Sequence, residues 1–348
     1  MLQNDLAALC RLCGVSGFEF NISAYVKERF LAFCDSVDVD FMGNIVGVFN
    51  ESSGANPVVL EAHCDEVGMV VTKVDENGFL RFAAVGGVDK SLLPACEVYI
   101  HSKGEVYFGV ISARPPHLKE YENESSSELV IDAGFSPAEA AEKIEIGSFV
   151  SFASSPVFTD DGYVFSKSLD NRIGLLTLLK CGEELKNSHF GGKVIFVASV
   201  QEELGLRGAY VACSSLMPKF AVAVDVTHGT NPKVSEDNGF SLKSGVSIGI
   251  SPSLNSYLSD LLIAAAQKFE IPFTREVMPG CSGTDAWAIQ VAGLGIPTAL
   301  LSIPVRYMHS PSETAALCDI NSCVELILKF LAEDYGSACK GEDVCSKN

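Results

Sequence analysis

The chain has 348 residues, 47% hydrophobic and 20% charged, so it can form one large hydrophobic core or two smaller ones. Its formal net charge of −19 argues against binding to phosphate backbones, since no basic stripe or aromatic RNA-binding motif offsets the acid. We therefore expect a self-repelling surface, no nucleic-acid partner and two domains rather than one.

The N-terminal stretch MLQNDLAALCRLCG lacks the basic start of a secretory signal peptide. The twelve cysteines are scattered, as is typical of reduced thiols, and we interpret the lone pair Cys10 and Cys13 as core residues. The uncharged stretch from Ala286 to Val305 contains glycines and prolines that favour a helix, a loop and a buried strand. We expect a cytoplasmic protein without a membrane segment.

In chain order, residues 21–33 (NISAYVKERFLAF) have helical spacing, and 56–63 (NPVVLEAH) form an apolar run typical of a strand. From Val67 to Ser166, short alternating strands such as VTKV and FLRFAAV are separated by hairpin turns at DENG and SKGE. Within this β-rich module, 119–129 (KEYENESSSEL) is predicted to be a solvated loop. A helix then begins near Asp170, and helices alternate with apolar strands to about residue 333.

Strand-like runs in the α/β portions reach potential metal ligands. VVLEAH ends at His63, VIFVASVQEE at Glu202 and Glu203, FAVAVD at Asp225, and TALLSIPVRYMH at His309. Any one of these residues is more typical of a helix cap or a hydrogen-bonded structural side chain. Because the carboxyl ends of strands in an open α/β sheet share one edge, we expect these side chains to converge.

Together with Asp170, such a cluster of carboxylates and imidazoles is costly to hold without cations. Mixed histidine and carboxylate ligands suit zinc, cobalt or manganese. The predicted ligands are His63, Asp170, Glu203, Asp225 and His309. They are about what two divalent ions need if one carboxylate bridges them, with positions left for water.

The adjacent carboxylates Glu202 and Glu203 are predicted to have different roles. A strand end followed by a glycine turn releases the strict alternation of side chains, so Glu203 can ligate while Glu202 faces the water as general base. The alternative is that both are solvated loop residues. Asp65, two residues after His63, falls on the same face of an extended segment and can hold the imidazole.

Nine motifs occur in order along nearly the whole chain: GVSGFE (14–19), HCDEVG (63–68), VGGVD (85–89), ARPPH (113–117), SLDNRIG (168–174), VQEELGLRGA (200–209), VDVTH (224–228), GCSGTDA (280–286) and IPVRYMHSPSE (303–313). Together they resemble the dinuclear-metal aminopeptidases related to glutamyl aminopeptidase. That family includes the deblocking and tetrahedral aminopeptidases.

The resemblance implies that Asp170 bridges two metal ions, with His63 and Asp225 on one ion and Glu203 and His309 on the other. It also implies that Glu202 is the general base for hydrolysis of the N-terminal residue of a peptide. The implied fold is a doubly wound, mixed-sheet α/β domain with an inserted β-rich, PDZ-like or barrel dimerisation domain. Relatives often form homo-oligomers, including tetrahedral dodecamers.

On this basis we divide the chain into a catalytic domain (1–66 and 167–335), an inserted dimerisation domain (67–166) and a polar tail (336–348). Cys64 and Trp287 stand where relatives have other residues, and we expect an oxidation-sensitive thiol and a narrowed pocket for the first side chain. Asp285 is interpreted as a helix N-cap rather than a contact to the peptide amine.

Other functions are weighed against the same residues. No GxSxG, Walker or dinucleotide-binding pattern is present. A metal-dependent deacylase or other amidohydrolase can use the same ligands, and a non-catalytic, metal-stabilised scaffold would not need Glu202. Release of amino acids from unblocked but not N-acetylated peptides distinguishes an aminopeptidase from these alternatives.

Overall fold

The computed structural model describes residues 2–113, 117 and 129–333. The helices are Leu2–Arg11 (α1), Phe20–Leu31 (α2), Pro137–Lys143 (α3), Leu169–Asn187 (α4), Arg207–Ser214 (α5), Ser256–Lys268 (α6), Asp285–Ile289 (α7) and Leu317–Ala332 (α8). Residues 119–128 of the predicted loop at 119–129, and the whole tail at 336–348, lie outside the described residues.

The strands are Ser36–Val39 (β1), Ile45–Phe49 (β2), Val58–His63 (β3), Gly68–Val74 (β4), Leu80–Val85 (β5), Glu97–Ser102 (β6), Glu105–Ile111 (β7), Val130–Asp132 (β8), Phe149–Phe152 (β9), Val157–Phe158 (β10), Tyr163–Ser166 (β11), Val194–Ser199 (β12), Phe220–His228 (β13), Val246–Ile250 (β14), Phe273–Val277 (β15), Thr298–Val305 (β16) and Glu313–Ala316 (β17).

The main sheet has eight strands in the order β1-β2-β12-β3-β13-β16-β14-β15. Its four central strands, β12, β3, β13 and β16, are mutually parallel, whereas β2 and β14 run antiparallel to the central strands beside them. Strands buried on both faces require continuous apolar runs, as the sequence has here. The predicted mixed sheet is confirmed.

Helices cover both faces of this sheet. In β3, Leu60 and Ala62 belong to the large core that includes α1, α2, α4, α6 and α8, whereas Val59 belongs to a smaller core with α5 and α7. Successive side chains of a strand point to opposite faces, so one strand contributes to both cores. The structure therefore confirms the doubly wound α/β class.

The β-rich module forms a closed six-stranded barrel, in the order β4-β5-β8-β7-β6-β9. The predicted hairpins at DENG and SKGE connect β4 to β5 and β6 to β7. Its interior is an apolar cluster that includes Met69, Leu80, Ile100, Ile131 and Val150. The barrel has its own core, as expected of an inserted module.

The connections between barrel and sheet lie close together. β9 ends at Phe152, and the next strand pair, β10 and β11, joins β17 in a small antiparallel sheet. Near the two crossings, Lys167 Nζ lies 2.5 Å from Glu66 Oε2 in a buried ion pair. The proposed domain limit at residue 166 stays a prediction, whereas the barrel strands themselves end earlier.

The stretch from Ala286 to Val305 is a short helix, a loop and a buried strand, as predicted. Within the described part of the chain, none of the helices has both the length and the apolar character that crossing a membrane requires. The ten cysteines in that part are all free thiols.

Candidate active site

The fold brings the five predicted ligands to one cleft. His63 is the last residue of β3 and Asp225 lies within β13. Asp170 is at the start of α4, where its φ/ψ angles are not helical. Glu203 and His309 lie on the loops that follow β12 and β16. The strand ends thus converge at the carboxyl edge of the central parallel strands.

The first ligand group consists of His63, Asp170 and Asp225, whose ligand atoms all lie within 4.8 Å of one another. His63 Nε2 lies 3.1 Å from Asp170 Oδ1 and 3.7 Å from Asp225 Oδ1. All three residues are buried. One imidazole nitrogen and two carboxylates therefore face a common point.

The second group consists of Asp170, Glu203 and His309, again within 4.8 Å. His309 Nε2 lies 3.3 Å from Asp170 Oδ2 and 3.1 Å from Glu203 Oε1. The two oxygens of Asp170 thus face different groups. A carboxylate shared in this way can bridge two cations.

Asp65 organises the loop that carries Glu202 and Glu203. Its Oδ1 accepts a hydrogen bond from the Glu202 amide at 3.0 Å, and its Oδ2 accepts one from the Glu203 amide at 3.1 Å. Asp65 Oδ1 lies 3.5 Å from His63 Nδ1, which makes no hydrogen bond among the described atoms. The shortest contacts of Asp65 are therefore with the loop rather than with the imidazole.

The run VIFVASVQEE does not continue as a strand to Glu203, because β12 ends at Ser199. Gln201 has a φ of 57°, in the left-handed region, which interrupts extended backbone before the glycine turn begins. Glu202 Oε2 consequently lies 4.0 Å from His63 Nε2, while Glu203 reaches His309. The two neighbouring carboxylates face different histidines.

Glu313 is a site residue to which the sequence analysis gave no role. Its Oε2 accepts a hydrogen bond from the Asp170 amide at 3.0 Å, and its Oε1 accepts one from the His309 amide at 2.9 Å. It is buried on β17. The available signal was a carboxylate four residues after His309 within the motif IPVRYMHSPSE.

The barrel segment VGGVD also reaches the cleft. The carbonyl oxygen of Gly87 lies 3.0 Å from His309 Nδ1. A hydrogen bond there leaves Nε2 available as a ligand atom. A Cβ atom on Gly87 would lie 2.7 Å from the same nitrogen, so a larger residue would displace the imidazole.

The electrostatics of the cluster are those of crowded, buried charges. Burial, together with the charges of Asp225, Asp285 and Glu203, raises the pKa of Glu202 to about 10, although His63 opposes this. Burial lowers the pKa of His309, but hydrogen bonds to Asp170 and Glu203 outweigh it and raise the pKa to about 11. The protein thus retains protons that bound cations would displace.

The interpretation of Asp285 as a helix N-cap is wrong. Thr284 occupies that position, and Asp285 is the first residue of α7.

Ser199 Oγ lies 2.7 Å from both Asp285 Oδ2 and Glu61 Oε1. Burial and the neighbouring carboxyl raise the pKa of Glu61, and burial raises that of Asp285 to about 6. A single hydroxyl hydrogen cannot serve both groups, so this buried pair shares at least one additional proton.

The cleft has a volume of 520 Å³ and adjoins an apolar pocket of 380 Å³, with Gly205 and Leu206 lining both. Trp287 lines the apolar pocket together with Met42 and Tyr210, and it is absent from the lining of the ligand cleft. The bulk of Trp287 therefore narrows the apolar pocket rather than the ligand cleft.

Residues 43–326 match the model of the M42 glutamyl aminopeptidase family. The lysyl aminopeptidase of Pyrococcus furiosus is 34% identical over 92% of this chain and 94% of its own length. An aminopeptidase from Desulfurococcus kamchatkensis has the same fold, with a TM-score of 0.90, 30% identity and 98% of each chain covered. The TET1 peptidase of Pyrococcus horikoshii, which can assemble into a tetrahedron or a large octahedral shell, gives a TM-score of 0.84 and 31% identity over 95% of this chain and 99% of its own.

These likenesses extend across both the main sheet and the barrel, and they agree with the order of the nine sequence motifs. The family and the relatives are aminopeptidases, which are hydrolases. The chain belongs to the M42 glutamyl aminopeptidase family.

Proposed function

We propose that the protein is a two-metal aminopeptidase that removes the N-terminal residue of peptides. The observation that carries this proposal is the pair of three-residue ligand groups sharing Asp170, with Glu202 beside them. The donor set suits zinc or cobalt, and manganese also accepts it. His63 and Asp225 would hold one ion, Glu203 and His309 the other, and Asp170 both.

Two divalent ions at these groups would supply Lewis acidity, lowering the pKa of water and polarising the scissile carbonyl. Glu202 would take the proton from the attacking water and pass it to the leaving amine. Asp65 would hold Glu202 and Glu203 in place through their amides, and Glu313 would hold Asp170 and His309 in the same way.

Cations also explain how Glu202 can act as a base. Without them, burial and neighbouring carboxylates hold its pKa at about 10, so the side chain is protonated near neutral pH. Positive charge at the two ligand groups would offset the repulsion from Asp225 and Glu203 and return the pKa toward the working pH. Cations at the two ligand groups would thus allow Glu202 to act as a base within the acidic cluster.

The test uses metal-stripped protein, with zinc, cobalt or manganese restored, and a panel of aminoacyl-p-nitroanilides. Hydrolysis should require metal, and Glu202→Gln should reduce kcat by about 10²- to 10⁴-fold. N-acetylated substrates should not be cleaved. Release of acetate from the acetylated substrates, without release of p-nitroaniline from the free ones, would favour a deacylase, and full activity of Glu202→Gln would remove its role as base.

We also propose that the chain acts in the cytoplasm as a homo-oligomer, with residues 67–166 as the dimerisation domain. The assembly of the P. horikoshii relative into a tetrahedron supports a dodecamer. The mass of the particle in solution, measured by light scattering, tests this, and a monomer would contradict it.

A further inference from the structure

The motif GVSGFE, between α1 and α2, ends in a carboxylate that belongs to neither ligand group. Glu19 directly precedes α2 and is buried. Its Oε1 accepts a hydrogen bond from the Gly17 amide at 2.7 Å and a second one from the Gln201 amide at 3.1 Å. A single carboxylate oxygen thus connects the N-terminal segment to the loop that follows β12, 182 positions further along the chain.

Two carboxylates bind three successive amides of this loop. Glu19 accepts the hydrogen bond of the Gln201 amide, and Asp65 accepts those of Glu202 and Glu203. All three amides lie beyond the end of β12. A buried N–H group that loses its partner costs about 1–3 kcal/mol. The two carboxylates therefore fix the course of the backbone across the residues that carry the proposed base and a ligand.

The backbone at Gln201 needs such support because its φ of 57° lies in the left-handed region. That conformation costs a residue with a Cβ atom about 1–2 kcal/mol, and it persists where the surrounding structure holds it. Arg207 also binds Gln201, through its amide and its guanidinium group, but it lies only six positions away at the end of the same loop. Glu19 is the partner that ties Gln201 to a distant part of the fold.

A change of backbone conformation at Gln201 would act first on Glu202, the next residue. Glu202 Oε2 lies 4.0 Å from His63 Nε2. Glu203 is one residue further on, and its Oε1 lies 3.1 Å from His309 Nε2. A displacement of about 1 Å in a reacting group can reduce a rate by about 10²-fold. Loss of the bond to Glu19 should therefore affect the base more than the ligand.

We propose that Glu19 is a positioning residue for the reaction, holding the Gln201 amide so that the loop directs Glu202 toward the attacking water. This rests on the proposed function, since it takes Glu202 as the general base. Glu19 is absent from the lining of the ligand cleft, so it acts through the loop and not on the substrate.

Two substitutions separate the acceptor oxygen of Glu19 from its bulk. Both hydrogen bonds end on the same oxygen, so the amide oxygen of Glu19→Gln can accept both, whereas Glu19→Met fills a similar volume with no comparable acceptor. Burial raises the pKa of Glu19 to about 7, although the bonds from Gly17 and Gln201 oppose the rise. A neutral amide thus differs little in charge from the native group near neutral pH. Glu28→Met, at an exposed carboxylate on α2, is the matched control.

The first measurement is hydrolysis of aminoacyl-p-nitroanilides at saturating metal, expressed per folded molecule. Glu19→Met should lower kcat by about 10- to 100-fold and change KM by less than about threefold. Glu19→Gln should lower kcat by less than about threefold, and Glu28→Met should behave as wild type. An unchanged kcat in Glu19→Met would overturn the inference, as would equal losses in Glu19→Gln and Glu19→Met. A raised KM with unchanged kcat would instead assign Glu19 to substrate binding and overturn it as well.

Hydrogen exchange, measured by mass spectrometry, reports on the loop without any need for activity. The Gln201 amide should exchange at least about tenfold faster in Glu19→Met than in wild type or Glu19→Gln. The Gly208 amide, which donates a hydrogen bond to the Val200 carbonyl at 3.0 Å, should exchange at the same rate in all three and serves as an internal control. Equal exchange of the Gln201 amide in the three proteins would show that Glu19 does not hold the loop. If the metal-loaded wild type cleaves no substrate, the proposed function fails, whereas the exchange rates still decide whether Glu19 holds the loop.

Discussion

The main sheet and the barrel both bury apolar strands, but they differ in where they place charge. His63 and Asp225 are buried on central strands of the sheet, and Glu61 lies between apolar residues of β3. Between Gly68 and Phe152, the buried polar residues that the structure describes are serines. Buried charges contribute little to stability, so their absence from the described barrel residues and their presence in the α/β part mark the α/β part as the one that binds and reacts.

The barrel still contributes to the cleft through its glycines. Gly87 contacts His309, and a Cβ atom on Gly86 would approach Glu203 to 3.2 Å. The barrel thus contributes a backbone carbonyl to the site, and its glycines leave room for Glu203 and His309, while the sheet and its loops contribute the ligands. Perturbing the barrel interior should change stability far more than chemistry.

The same substitution in the two cores gives the largest expected effect. Leu60 in β3 and Leu80 in β5 are both fully buried. Leu60→Ala and Leu80→Ala should each lower the free energy of unfolding by about 2–5 kcal/mol, through lost transfer energy and a cavity. Only Leu60→Ala, three residues before His63, should also lower metal affinity and kcat/KM per folded molecule.

Urea denaturation and metal titration of both variants measure these quantities under the same conditions. If Leu80→Ala lowered the activity of the folded fraction as much as Leu60→Ala, the barrel core would affect catalysis as strongly as the sheet core. The proposed difference between the two regions would then be wrong.

Much of the fold was predictable because its signals are local. The apolar run of β3, the alternation in β4 and β5, and the helix beginning near Asp170 all appear within short windows. The convergence of His63, Asp225 and His309 followed from a general property of parallel strands. Such features need no knowledge of distant contacts.

The missed features depend on contacts between distant parts of the chain. Glu313 meets the amide of Asp170 across 143 positions, and no spacing rule predicts which backbone group a carboxylate will find. β12 ends at Ser199, and the amide of the next residue, Val200, donates a hydrogen bond to Asn44 Oδ1, 156 positions away. Ser199 likewise contacts Glu61, 138 positions away, and Asp285, 86 positions away.

Glu313→Gln should sharpen the distinction between groups that bind metal and groups that hold the ligands. An amide keeps one acceptor oxygen but turns an NH₂ group toward the second backbone N–H. Metal affinity should fall by about 10- to 100-fold, as for other partners that orient metal ligands. Glu325→Gln, on α8 and away from the cleft, is a matched control.

Competition with a chromophoric chelator measures the affinity, and kcat at saturating metal separates two outcomes. Recovery of most of kcat at high metal would agree with a positioning role for Glu313. A loss of kcat that metal cannot restore would instead place Glu313 among the groups that contact the reacting atoms.

His101 in the barrel gives the smallest effect and tests whether this region has a pH dependence of its own. Its ring stacks on Phe149 at 4.4 Å between centroids, and Nε2 lies 3.0 Å from Ser151 Oγ. Burial lowers the pKa of His101 to about 4, with Glu66 opposing and Lys167 adding to that effect. The folded state therefore binds the proton less tightly than the unfolded state, whose pKa is about 6.5.

Since the unfolded state holds more protons between pH 6.5 and 4, stability should fall as the pH decreases through this window. Each pKa unit corresponds to about 1.4 kcal/mol, which partial exposure of the ring reduces to about 1 kcal/mol in total at pH 5. His101→Gln retains a partner for Ser151 but cannot titrate. Its stability deficit relative to wild type should therefore shrink by about 1 kcal/mol between pH 7.5 and pH 5, because carboxylates elsewhere affect both proteins equally. A deficit that stays constant in urea denaturation at the two pH values would show that His101 contributes nothing to the pH dependence of stability.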